Sequence, residues 1–168
     1  MKDKHVAAQP WIGLIFRLSL GGVLFVAGYL KIGKADISQM AVRSYEILPV
    51  PVANFLGLVL PPVEVAIGAL LILGALTRVV AALGGFTMFI FIIAIAQAWA
   101  RGLNIDCGCF GGGGSVAAED TRYLQEILRD LGLLFMAAYL VRYPITKFAI
   151  DKKPREITET AKTKGDVE

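Results

Sequence analysis

VVAALGGFTMFIFIIAIAQAW, residues 79–99, runs through twenty-one residues without one charge. As a helix it covers about 31 Å, the thickness of the hydrocarbon core of a bilayer. Trp99 closes it where amphipathic rings collect at the membrane–water boundary. Ala94 and Ala98 form a small-xxx-small pair suited to close helix contact. Thr77 and Arg78 come just before the run, so the chain is expected to turn tightly there.

Three further segments share this character: 11–30, 52–75 and 123–143. The segment at 11–30 follows Lys2 and Lys4, as a signal peptide would, but it is long enough to span and ends in Lys31 with no small-x-small cleavage pattern. It reads as a retained span. The second contains Pro61 and Pro62, which remove helical hydrogen bonds and favour a kink. The fourth opens with Glu126, Arg129 and Asp130 and is apolar afterwards.

The 168-residue chain is 56% hydrophobic and 18% charged, where a soluble domain carries about 25% charged residues. A net charge of +3 is too small to argue for nucleic acid. The fold class expected is an all-α membrane protein: a bundle of four transmembrane helices over residues 1–143, with a polar cytoplasmic tail at 144–168. Between spans one and two, Asp36 and Gln39 make a capping-box pattern. Ile37, Met40, Ala41, Tyr45 and Leu48 then share a face, which points to an interfacial helix.

Four spans bring both termini to one side. Lys2, Lys4, Arg78, Arg142, Lys147, Lys152, Lys153, Arg155, Lys162 and Lys164 fall there, against Lys31, Lys34, Arg43, Arg101 and Arg122 on the other. By the positive-inside rule the termini are cytoplasmic, and the loop after span three faces outward.

That loop, NIDCGCFGGGGS at residues 104–115, holds both cysteines of the chain, Cys107 and Cys109. Outside the cytoplasm disulfides persist. A ring closed across one residue needs bent backbone, which Gly108 permits. Strained, exposed disulfides exchange readily, so the pair suits thiol–disulfide exchange. A disulfide or quiet thiols that only shape the loop remain open as well. A metal is the third alternative, but two thiolates do not complete a tetrahedral shell and the single histidine, His5, lies on the other side. Gly111, Gly112, Gly113 and Gly114 read with Gly108 as a hinge.

Ionisable groups within spans are costly and point to function or buried pairs. Glu64, near mid-span, has Arg17 as the economical partner. Lys31 and Asp130 enter from the outer side, and a pair between them close to the thiols would raise thiol reactivity. No cofactor is identified. Quinone coupling draws no support from one thiol pair, because such systems need a second pair or a partner that supplies it.

Taken in order, Arg17, Gly28-Tyr-Leu-Lys31, Leu60-Pro-Pro-Val-Glu64, the block from Gly68 to Gly74, Cys107-Gly-Cys-Phe-Gly111 and Asp130 resemble the DoxX-like and MauE-like family of four-helix bacterial membrane proteins, across about residues 13–142. The resemblance implies a plasma-membrane protein associated with disulfide maturation of secreted proteins, beside a thioredoxin-fold partner. It carries Cys107 and Cys109 over as the redox pair, with Glu64 and Asp130 as polar positions inside the bundle. Two readings follow. One is a thiol–disulfide oxidoreductase or redox partner; the other is a non-catalytic accessory subunit of a larger membrane assembly, such as an actinobacterial respiratory complex.

Overall fold

The computed structural model describes residues 2–108 and 111–150, with side chains from residue 9 onward. Cys109, the side chains of Lys2, Lys4 and His5, and the tail lysines and arginine past Ile150 lie outside the described residues. Five α-helices follow in order: α1 Lys2–Lys31, α2 Ala35–Ser44, α3 Val50–Leu73, α4 Thr77–Ala100 and α5 Tyr123–Arg142. Two short strands, β1 Ile105–Asp106 and β2 Gly114–Ser115, and a 3₁₀ turn at Ala118–Asp120 lie between α4 and α5.

Within α1 the stretch Gln9–Lys31, with all of α3 and α4, is long and apolar enough to cross a membrane. Only 33% of the α4 window is buried. The remainder presents Val79, Leu83, Phe86, Phe89, Ile90 and Ile93 outward, far more apolar surface than a soluble monomer exposes. Charges in its first half keep α5 out of that set, although its later part is apolar.

α1 lies along α3, α4 along α5, and α2 on the first half of α3. Glycines set the closest approach. A Cβ on Gly68 would stand 2.5 Å from the Phe25 nitrogen, and one on Gly28 would stand 2.6 Å from the Pro61 carbonyl oxygen. Leu20, Leu24, Leu71, Met88, Leu133 and Leu140 fill the centre. A second cluster of Ile95, Ala98, Ile105 and Tyr123 roots the loop on the bundle.

Three local expectations are corrected. The turn between α3 and α4 falls at Gly74, Ala75 and Leu76, with Thr77 and Arg78 already helical. Gly74 takes the left-handed conformation (φ 70°), and Ala75 N–H bonds the Leu70 carbonyl, as glycine-terminated helices do. The N-cap of α2 is Lys34, with no side-chain cap bond, and Asp36 lies in its first turn; the capping box does not form. α2 buries Ser38 and Ala41 where it packs on Gly57 of α3, and Met40 and Leu48 are exposed. α3 runs on as helix through Pro61 and Pro62.

The third correction concerns the buried charges. α1 and α3 run antiparallel, so that Gly28 meets Glu64 and Arg17 meets Gly74. Arg17 is thus about 15 Å along the axis from Glu64. It bonds the Thr146 hydroxyl at 2.7 Å and the Phe148 carbonyl at 3.2 Å instead. Glu64 pairs with Lys31 at 2.7 Å. Asp130, expected beside Lys31, is held by its neighbour Arg129 at 2.8 Å.

Candidate functional site

The loop between α4 and α5 is held on three sides. β1 and β2 pair antiparallel, Ile105 with Ser115 and Asp106 with Gly114. The Tyr123 hydroxyl, at the start of α5, accepts from Ile105 N–H at 3.0 Å and donates to the Leu103 carbonyl. From the end of α2, the Tyr45 hydroxyl donates to the Cys107 carbonyl at 3.1 Å. Gln97 Nε2 donates to the Tyr45 carbonyl at 3.0 Å, which ties α2 to α4 beneath the loop.

The glycines in this loop are closely packed. A Cβ on Gly108 would lie 2.6 Å, and one on Gly113 2.5 Å, from Ala41 Cβ, while one on Gly112 would overlap the Asp106 carboxylate. Gly108 (φ 69°), Gly111 (85°), Gly113 (143°) and Gly114 (104°) are all in left-handed territory. Small size and positive φ let the backbone lie against α2 and so place Cys107. Gly108 N–H also donates to Asp106 Oδ1 at 2.9 Å.

Cys107 is half-buried, and its thiol lies within 4.8 Å of the Glu126 carboxylate from the first turn of α5. Donor atoms of Asp106, Cys107 and Glu126 all lie within 4.8 Å of one another. A thiolate with two carboxylates mixes soft and hard ligands, and Arg122 and Arg129 line the same cleft. Their positive charge disfavours a cation, so the cluster suits proton exchange at sulfur better than metal binding.

Two spaces meet at this cysteine. One is a charged cleft of about 280 Å³ lined by Asp106, Asp120, Arg122, Glu126 and Arg129. The other is an inner cavity of about 50 Å³ between α2, α3 and α4, lined by Lys31, Ser38, Tyr45, Gly57 and Phe91. Among the described residues, Cys107 alone borders both.

Of the residues singled out in the sequence, Cys107 and Lys31 therefore share a cavity wall. Glu64 reaches the site through Lys31. Glu64 and Asp130 instead share a separate pocket of about 10 Å³ beside Met88 and Phe91. Arg17 is at the opposite end of the bundle. Glu126, Tyr45 and Ser38 escaped the sequence reading as site residues. Glu126 carried a signal, being a carboxylate in the first turn of the helix that follows the cysteines; Ser38 and Tyr45 carried none, since only packing brings α2 under the loop.

Residues 9–143 match the family described as Methylamine utilisation protein MauE. The methylamine utilization protein MauE of Paracoccus denitrificans is 34% identical over 107 residues, which make up 62% of this chain and 57% of that protein. The match therefore spans a little over half of that relative's length. No solved structure matches the chain.

Proposed function

The chain belongs to the MauE family, and from that premise we propose that it exchanges thiols and disulfides with an extracytoplasmic thioredoxin-fold protein through Cys107 and Cys109. The observation that carries this reading is the position of Cys107, which lines a charged cleft with its sulfur within 4.8 Å of the Glu126 carboxylate. The relative's name connects that protein to methylamine utilisation, and the corresponding role here is maturation of a disulfide-bearing protein of that process.

The exchange balances without other reagents. A partner thiolate attacks one sulfur of a Cys107–Cys109 disulfide, so the intramolecular S–S bond breaks and a mixed disulfide forms. The second partner thiolate then displaces the chain. The partner leaves as disulfide and the chain as dithiol: the two protons that the partner's thiols gave up on becoming thiolates end on the chain's two sulfurs, the one on Cys107 by way of Glu126.

α5 serves as a fourth crossing in this reading. It packs along α4 and α1, turns Asp130 inward and presents Leu131 and Phe135 outward. With four crossings and the basic residues counted above, both termini are cytoplasmic and the cysteine loop is outside. α2 then lies near the outer interface.

The test is trapping. The Cys109→Ser variant, retaining Cys107, is expected to accumulate a mixed disulfide with a thioredoxin-fold partner in intact cells. The Cys107→Ser/Cys109→Ser variant is expected to accumulate none. No mixed disulfide from either single-cysteine variant would overturn the reading.

A further inference from the structure

The inner cavity at Cys107 continues into an open groove of about 260 Å³ on the flank of the bundle, and the two share Lys31, Ser38, Gly57 and Pro61. An apolar protein cavity of about 150 Å³ already holds a benzene ring. Ile32, Leu58 and Pro62 form the outer lip, and all three are exposed. By helical rise Pro62 is about 16 Å and Leu58 about 22 Å from Leu73, at the far end of α3. Both depths fall within a hydrocarbon core about 30 Å thick. The groove thus opens sideways towards lipid, whereas the charged cleft opens on the loop side.

Its floor is polar where its lip is not. Lys31 is 7% exposed, is held at 2.7 Å from Glu64 and stands 6.0 Å from the Phe91 ring centre. Ser38 is 4% exposed and its hydroxyl has no hydrogen-bond partner among the described residues. Prolines at 61 and 62 deprive the Gly57 and Leu58 carbonyls of their helical donors. Donors and acceptors therefore sit together at the inner end of an apolar slot that leads to a cysteine.

We propose that this groove binds a lipid-soluble quinone, with its ring at Lys31 and Ser38 and its tail leaving past Leu58 and Pro62. The proposal rests on the thiol-exchange reading for its chemistry and supplies the oxidant which that reading leaves unnamed. Lys31 and Ser38 donate to a quinone carbonyl oxygen. The Cys107/Cys109 dithiol is oxidised: two S–H bonds break and one S–S bond forms. Two electrons and two protons pass to the quinone, which leaves as quinol. The second thiol pair that quinone coupling needs is then the partner's own, which reduces the Cys107–Cys109 disulfide in the exchange.

The test uses the full chain in lipid nanodiscs with a short-tailed benzoquinone and its photoreactive azido derivative. Binding is measured in the Cys107→Ser/Cys109→Ser variant, which has no redox chemistry, so that the site is judged apart from the exchange reading. Crosslinks are expected on α2 and on α3 near Leu58. Ser38→Ala is expected to weaken binding about fivefold, the worth of one neutral hydrogen bond. Ala35→Phe, which fills the groove from the exposed first turn of α2, is expected to abolish it. Quinone uptake no greater than in protein-free nanodiscs, crosslinks elsewhere, or indifference to both substitutions overturns the proposal. Mixed disulfides without quinone binding would leave exchange standing and remove only this site; quinone binding without mixed disulfides would do the reverse.

Discussion

Lys31 and Glu64 illustrate how much depends on one pair. Both are buried, with side chains 8% and 1% exposed, and they approach to 2.7 Å. Removing one member of a buried pair leaves the other charge uncompensated and typically costs about 3–5 kcal/mol. Lys31→Met is therefore expected to lower resistance to unfolding in detergent by that amount. Lys31→Met/Glu64→Leu is expected to recover most of the loss, because apolar replacement of a whole buried pair is often neutral. Thermal unfolding of the purified variants measures both, and additive losses would show that the charges do not interact. Arg17 is buried as well, but its bonds go to Thr146 and Phe148. It fastens residues 146–148 to α1, away from the cysteine.

The helices meet through small residues, and Gly68 and Gly22 show how position decides their weight. Gly68 of α3 faces Phe25 backbone atoms, whereas a Cβ on Gly22 of α1 meets nothing within 4 Å. Gly22→Ala is expected to stabilise by about 0.5–1 kcal/mol, through the lower backbone entropy of alanine in the unfolded chain. Gly68→Val must push α1 from α3 and is expected to abolish the folded bundle. Stability of the two variants against a denaturing detergent checks the contrast. α2 belongs to the same argument: Gly57, Gly108 and Gly113 allow it to be sandwiched between α3 and the loop, and that sandwich forms the wall of the cavity at Cys107.

The bundle as a whole separates two environments around one sulfur. The charged cleft and the lateral groove approach Cys107 from different directions, so a protein partner and a lipid-borne oxidant would not compete for access. This arrangement has a side. A membrane-impermeant maleimide is expected to label Cys107 in intact cells carrying the Cys109→Ser variant, and labelling only after the membrane is opened would reverse the proposed orientation. A cysteine introduced at Arg78, in the first turn of α4 at the opposite end, is expected to behave in the contrary way in a background without Cys107 and Cys109.

Long apolar runs, the polar loop with its Cys-Gly-Cys and the helix that follows were legible from residue order, because burial in lipid is a requirement that each segment meets by its own length and composition. The family was legible too, as a resemblance to MauE-like membrane proteins. Charge pairing was not. Whether Glu64 meets Arg17 or Lys31 depends on the direction and stagger of α1 against α3, which the contacts of Gly28 and Gly68 set in three dimensions. The same holds for the site: Ser38 and Tyr45 are unremarked polar residues in the sequence and become part of it only because α2 folds back beneath the cysteine loop. Segment type is a local property of the chain. The cavity at Cys107 is a property of how those segments pack.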